Sequence, residues 1–208
     1  LNPRLLDLPG RMDLLKNECR NTRNLSHPNI VRVFDFHRTP EGVFISMEYI
    51  EGQDLVAYRR NLQHGNTAEM ISLVQPIIDA LSYAHQMGLV HRDVKSSNIL
   101  IDTHNAPHLT DFGIAGVFKS GSNALDITSG GSLYSMSPQQ LEGIRPQPSD
   151  DIYALGVLMY ELLTGNPPFY PDITTDKIRA HRPLSVNQNL ADLQRTGDIP
   201  VLLEDLID

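Results

Sequence analysis

Cysteine, positive charge and long apolar runs are all scarce in this chain, and each shortage closes off a class of protein. The single cysteine, Cys19, cannot form an internal disulfide, which suits a reducing compartment. It falls on a helix-like stretch, where a small buried side chain is a better reading than a reactive thiol. Acidic residues outnumber basic ones, 25 against 17, for a formal charge of −8. That balance argues against a protein built to hold nucleic acid or an anionic membrane surface. The most apolar run, Ile152 to Leu163, is interrupted by Glu161 and is too short to cross a bilayer. His85 and His91 do not have zinc-ligand spacing. No G-x-G-x-x-G occurs anywhere. The chain opens on Leu1 with no signal-peptide pattern, so a segment of something longer is the expectation.

What is present reads as an ordinary globular chain, long enough at 208 residues for one good core or two small lobes. Pro3, Pro9 and Gly10 mark residues 1–10 as a loop. Arg11 to Leu25 predicts a helix with Met12, Leu15, Cys19 and Thr22 near one face. Val31 to Phe36 and Val43 to Tyr49 predict two strands, joined into an antiparallel hairpin by the turn signal Thr39-Pro40-Glu41-Gly42. From Asn66, spaced with Glu69 as a capping box, a helix runs through His85 and carries Pro76 inside it. Short strand-like pieces follow at Leu89-Val90, Ile99 to Ile101 and His108 to Thr110. Residues 114–131 are rich in Gly, Ser and Thr and predict a loop. Ser149 to Thr164 is apolar on nearly all sides and predicts a buried helix, capped by Gly165 and stopped by Pro167-Pro168. Loop is expected from there to about Pro200, and a further helix from Val201.

The chemistry concentrates in His91-Arg92-Asp93-Val94-Lys95-Ser96-Ser97-Asn98 and in Asp111-Phe112-Gly113. These place a candidate base, a cation and two oxygen ligands of the kind magnesium prefers in two short loops flanked by strand-like sequence. Either motif alone is weak. In this order, with Asp93 and Asp111 eighteen positions apart, they resemble the catalytic loop and metal-binding motif of eukaryotic-like (Hanks-type) Ser/Thr protein kinases. The stretch around Ser137-Pro138-Gln139-Gln140 is most similar to bacterial members, many of which continue into a membrane helix and a sensor domain.

The resemblance implies an α+β, bilobal protein-kinase-like fold. Residues 1–50 would form a truncated N-lobe, helix C plus a β-hairpin, with the hinge; residues 51–208 would form a mostly helical C-lobe without its last helices. It implies ATP and Mg2+ as cofactors and transfer of phosphate to Ser/Thr hydroxyls of a protein substrate, with Lys95 favouring Ser/Thr over Tyr. Asp93 would be the base, Lys95 would meet the transferring phosphate, and Asn98 and Asp111 would hold metal. Met47, as gatekeeper, the backbone of Glu48 and Ile50, and Leu100 would enclose adenine. Glu18 would pair with a strand lysine that the resemblance places, with the glycine-rich loop, before Leu1; the 208 residues alone are therefore expected to transfer phosphate poorly. His91, Phe112 and Gly113 would be structural, and Asp151 would hold the catalytic loop's backbone, although capping its own helix is a fair alternative. Arg92 would grip a phosphorylated residue, with Thr128 and Ser129 the best sites and Ser122 a weaker one. Ser132 would sit against Asp93 and Lys95. Gln139 departs from the family's usual Glu. The expected location is cytoplasmic, with any membrane anchor outside this segment, and homodimerisation through the domain stays open.

Two other readings stand beside this one. A non-catalytic kinase-like binding module has no need to keep Asp93, Lys95, Asn98 and Asp111 together. A small-molecule phosphotransferase with a related H-x-D and D-x-G core normally lacks Lys95 at this spacing and the segment from Ser132 to Pro138.

Overall fold

The computed structural model describes residues 10–40, 42–61, 67–112 and 133–192. Helix α1 (Arg11–Thr22) starts at Gly10, whose φ of 80° suits a residue without Cβ. It ends three residues before the predicted boundary. Its buried face carries Leu15, Cys19 and Thr22, spaced four and three apart as a helix stripe requires. Leu15 and Cys19 pack on Phe36, Val43 and Ile45 of the hairpin formed by β1 (Val33–Thr39) and β2 (Gly42–Met47). The hairpin is antiparallel, as expected, with Phe36 opposite Ile45 and an irregularity between Val33 and Asp35.

A second sheet orders β3 (Gly52–Asp54), β4 (Ile99–Asp102) and β5 (Pro107–Leu109) as β3-β4-β5, all antiparallel. The strand β3 was not expected, because Gly52-Gln53-Asp54 has no β-branched or aromatic residue. Its pairing explains Gly52: a Cβ there would lie 1.9 Å from the Ile101 carbonyl oxygen. A parallel bridge from Ile30 to Leu109 ties the segment before β1 to this sheet.

Asp54 caps the short helix α2 (Leu55–Tyr58), accepting from the Ala57 N–H at 2.7 Å. The long helix α3 (Thr67–Gln86) runs unbroken through Pro76. Its expected cap, Asn66, lies outside the described residues. Leu89 and Val90 fall outside any strand. Ser137 and Gln140 cap α4 (Pro138–Leu141) reciprocally. Helix α5 (Pro148–Thr164) closes on Gly165 in the left-handed conformation, as expected. The loop expected from Gly165 onward is instead interrupted by α6 (Thr175–Ala180) and α7 (Val186–Asp192). These helices are too short for periodicity to register. Their caps were readable: Thr174 accepts from the Lys177 N–H, and Ser185 and Gln188 bond reciprocally.

The main core lies where α3, α5, β4 and β5 meet, around Ile77, Leu81, Ile99, Leu109, Leu158 and Leu163. The chain is mixed α and β, with a hairpin-and-helix layer at one end and a helical body at the other. Among the described residues no helix is long and apolar enough to cross a membrane.

Candidate active site

The loop from His91 to Asn98 emerges between α3 and β4, and its backbone is held by one carboxylate. Asp151, in the first turn of α5 and fully buried, accepts from the His91 N–H and the Arg92 N–H, each at 2.8 Å. The same side chain faces His85 Nε2 at 2.8 Å. The cap of α5 is made instead by its neighbour Asp150, which accepts from the Gln147 N–H at 2.8 Å. From the other side, Gln140 Nε2 donates to the Arg92 carbonyl at 3.3 Å. The Arg92 peptide is clamped on both faces at a φ of 73°, a region costly for a side chain with a Cβ.

His91 is completely buried. Its Nδ1 accepts from the Asp93 N–H at 3.2 Å, so Nε2 carries the proton and donates to the Thr110 carbonyl at 2.9 Å. Burial lowers its pKa, although Asp151 and the Thr110 carbonyl oppose that shift. The ring packs on Phe112 with centroids 4.4 Å apart. Both residues therefore join the His91–Asn98 loop to the second motif.

Asp93 is nearly buried, and its Oδ2 receives Lys95 Nζ at 2.8 Å and Asn98 Nδ2 at 2.9 Å. Asn98 Nδ2 also donates to the Asp93 carbonyl at 2.8 Å. This leaves the amide oxygen of Asn98 as an acceptor. Asp111 follows at a φ of 66°, with its pKa raised mainly by burial and opposed by His91. A carboxylate held in this way favours a cation nearby. Magnesium is commonly held by one or two protein oxygens completed by phosphates and water, and Asp111 with Asn98 fits that pattern. Among the described residues no cluster of three His, Cys, Asp or Glu side chains offers an all-protein cage.

Thr110 Oγ1 donates to Met47 Sδ at 3.8 Å, which places Met47 beside the Asp111 motif. The Glu48 N–H is occupied by the Arg32 carbonyl at 2.8 Å, so only its carbonyl remains available for a ligand. Ile50 lies half-buried in the connection to β3. In β4, Ile99 and Ile101 face the core, and Leu100 faces the opposite way, half-exposed.

One expected partnership differs. Glu18 Oε1 is 3.2 Å from Arg92 Nη1, so the acid expected to meet a lysine and the arginine expected to meet a phosphate are joined to each other. Thr22 of the same helix donates weakly to the Phe112 carbonyl at 3.5 Å. Gln139, the departure noted in the sequence, is exposed. Its neighbour Gln140 makes the structural contacts instead. Gly113, Ser122, Thr128, Ser129 and Ser132 lie outside the described residues.

Sequence reasoning missed His85, Gln140 and Glu161. The partners of the two polar residues and of the buried acid lie 48 or more positions away, at distances no local pattern reports. The reciprocal Ser137–Gln140 cap was the one signal that could have drawn attention to Gln140.

A family model described as "Protein kinase domain" matches residues 9–207. The serine/threonine-protein kinase PrkC of Bacillus subtilis is 38% identical over 154 residues, covering 74% of this chain and 24% of that protein. The serine/threonine-protein kinase PknB of Mycolicibacterium smegmatis is 36% identical over 167 residues, covering 76% and 26%. The serine/threonine-protein kinase pkn3 of Myxococcus xanthus is 36% identical over 166 residues, covering 76% and 30%. The chain thus spans about a quarter to a third of the length of these relatives.

Proposed function

The chain belongs to the protein kinase family, with bacterial Ser/Thr kinases among its relatives, and from that premise we propose that it transfers the γ-phosphoryl group of ATP to Ser or Thr hydroxyls of protein substrates. The observation that carries this reading is the Asp93 carboxylate, oriented by Lys95 and Asn98 and set beside Asp111. Phosphoryl transfer needs little covalent help from a protein; it needs positioning and neutralised charge.

Asp93 accepts the proton of the substrate hydroxyl as that oxygen bonds to the γ-phosphorus. The bond to the bridging oxygen breaks, and ADP leaves. Lys95, already beside Asp93, is placed to meet charge on the transferred group. Asp111 and Asn98 would hold Mg2+, which neutralises charge on the phosphates. Leu100, Met47, the Glu48 carbonyl and the backbone of Ile50 would bound the adenine. We assign residues 1–50 to the N-lobe and hinge and 51–208 to the C-lobe; the separate cluster of α1 and the hairpin supports this division, while Leu25 and Ile30 pack into the main core.

Regulation would draw on Arg92 and a phosphate at Thr128 or Ser129, with Glu18 the group that such a phosphate displaces. Ser132 would place its hydroxyl against Asp93 and Lys95. His91, Phe112, Gly113 and Asp151 would act as structural supports.

The test is phosphate transfer from ATP to a Ser/Thr peptide by the full-length protein. Asp93→Asn should lower kcat by about 10²- to 10⁴-fold and leave ATP affinity within a few-fold. A variant with undiminished turnover would remove Asp93 from the role of base.

A further inference from the structure

We propose that Ser96, Glu161 and Arg59 form a buried positioning relay that fixes the turn between Lys95 and Asn98, and through it the geometry at Asp93. Ser96 is fully buried, and its Oγ donates to Glu161 Oε2 at 2.5 Å. The other oxygen of Glu161 meets Arg59 Nη1 at 2.7 Å. Glu161 lies in α5 among Leu158, Leu162 and Leu163, and its side chain is only 6% exposed.

A carboxylate in such surroundings is costly unless each oxygen is paired, and a well-packed apolar side chain would often serve stability as well or better. The acid has a clearer rationale as a fixed acceptor for a hydroxyl of the catalytic loop. Ser96 opens the 3-10 turn Ser96–Asn98. Lys95 precedes it with Nζ on Asp93, and the Asn98 N–H closes the turn on the Lys95 carbonyl at 2.9 Å. Pinning Ser96 therefore limits the movement of both side chains that orient Asp93. Arg59 comes from the 3-10 turn after α2, and α2 itself packs against the Ser96–Asn98 turn. The relay thus ties α2, the catalytic loop and α5 at one point.

The Tyr134 phenol lies in the same field. Burial raises its pKa to about 12, with the Glu161 charge adding, Arg59 opposing and Asp93 adding again. The relay and the Asp93 carboxylate therefore lie close enough to act on one side chain.

The kinetic part of the test rests on the phosphotransfer reading; a hydrogen-exchange part does not. In the full-length protein, Ser96→Ala should lower kcat about tenfold with the KM for ATP little changed, and should speed exchange of the Asn98 amide. Glu161→Gln keeps an acceptor for Ser96 and should lose less kcat than Ser96→Ala. Unchanged kcat and exchange in Ser96→Ala would overturn the relay, as would a loss of activity that only follows the folded fraction. Should the unaltered protein transfer no phosphate, the phosphotransfer reading falls, and exchange at Asn98 still decides the relay.

Discussion

Burial lowers the pKa of the His91 imidazole, and in the neutral ring its hydrogen bonds decide which nitrogen carries the proton. One ring thereby accepts from the Asp93 amide and donates to the Thr110 carbonyl. A charged ring would donate from both nitrogens and lose the first contact. Asp102 shows the opposite electrostatic case at the β4–β5 turn. Its Oδ2 faces His108 at 3.1 Å, and its Oδ1 accepts from the His104 and Ala106 N–H groups, each at 2.8 Å. These contacts, His108 foremost, bring its pKa down to about 2. A lowered folded-state value means that Asp102 supports the fold above the ordinary carboxylate range. That support is lost as pH falls from about 4 toward 2. Asp102→Asn should lower the melting temperature by a few degrees at neutral pH, and the difference should close over that acid range in thermal melts.

At the scale of elements, Gly52 is the position with least tolerance. The Ile101 carbonyl occupies the space a Cβ would need, so Gly52→Ala must push β3 away from β4. A cost of about 1–3 kcal/mol is expected, as for an overpacked core site, and denaturant unfolding would measure it. Nothing in Gly52-Gln53-Asp54 announces a strand; the segment is one because β4 offers it an edge. The long helices were legible for the opposite reason. Met70, Val74, Ile77, Leu81 and Ala84 repeat at the helical period in α3, and α5 is apolar nearly all round, as a helix in mid-core must be. Helices α6 and α7 are too short for a repeat and rest on their caps. Within the candidate site, the nearness of Asp93, Lys95 and Asn98 was legible because they share one short loop, and that loop is tied to the Asp111 motif through His91 and Phe112. His85, Gln140 and Glu161 act across long sequence separations, and only folding brings them to the loop.

At the scale of the whole molecule, the pair of Glu18 and Arg92 spans the two hydrophobic clusters, one built on α1 and the hairpin and the other on α3 and α5. Their side chains are 18% and 27% exposed, so water screens much of the attraction. Glu18→Gln should cost no more than about 1 kcal/mol. Its effect should appear instead as faster hydrogen exchange in α1, which loses a tie to the helical body; unchanged exchange would show that packing alone holds the helix. Arg92 also has a mechanical meaning. Its amide hydrogen goes to α5, its carbonyl to α4 and its guanidinium to α1. In a framework of bars and joints, such a residue is an over-constrained node: more struts meet there than its few soft torsions require. Slack in any one strut is taken up by the others, so Asp93, the next joint along, is buffered against small displacements of a single helix. Only a concerted shift of several elements would move it, and the loop would respond to such shifts as a step.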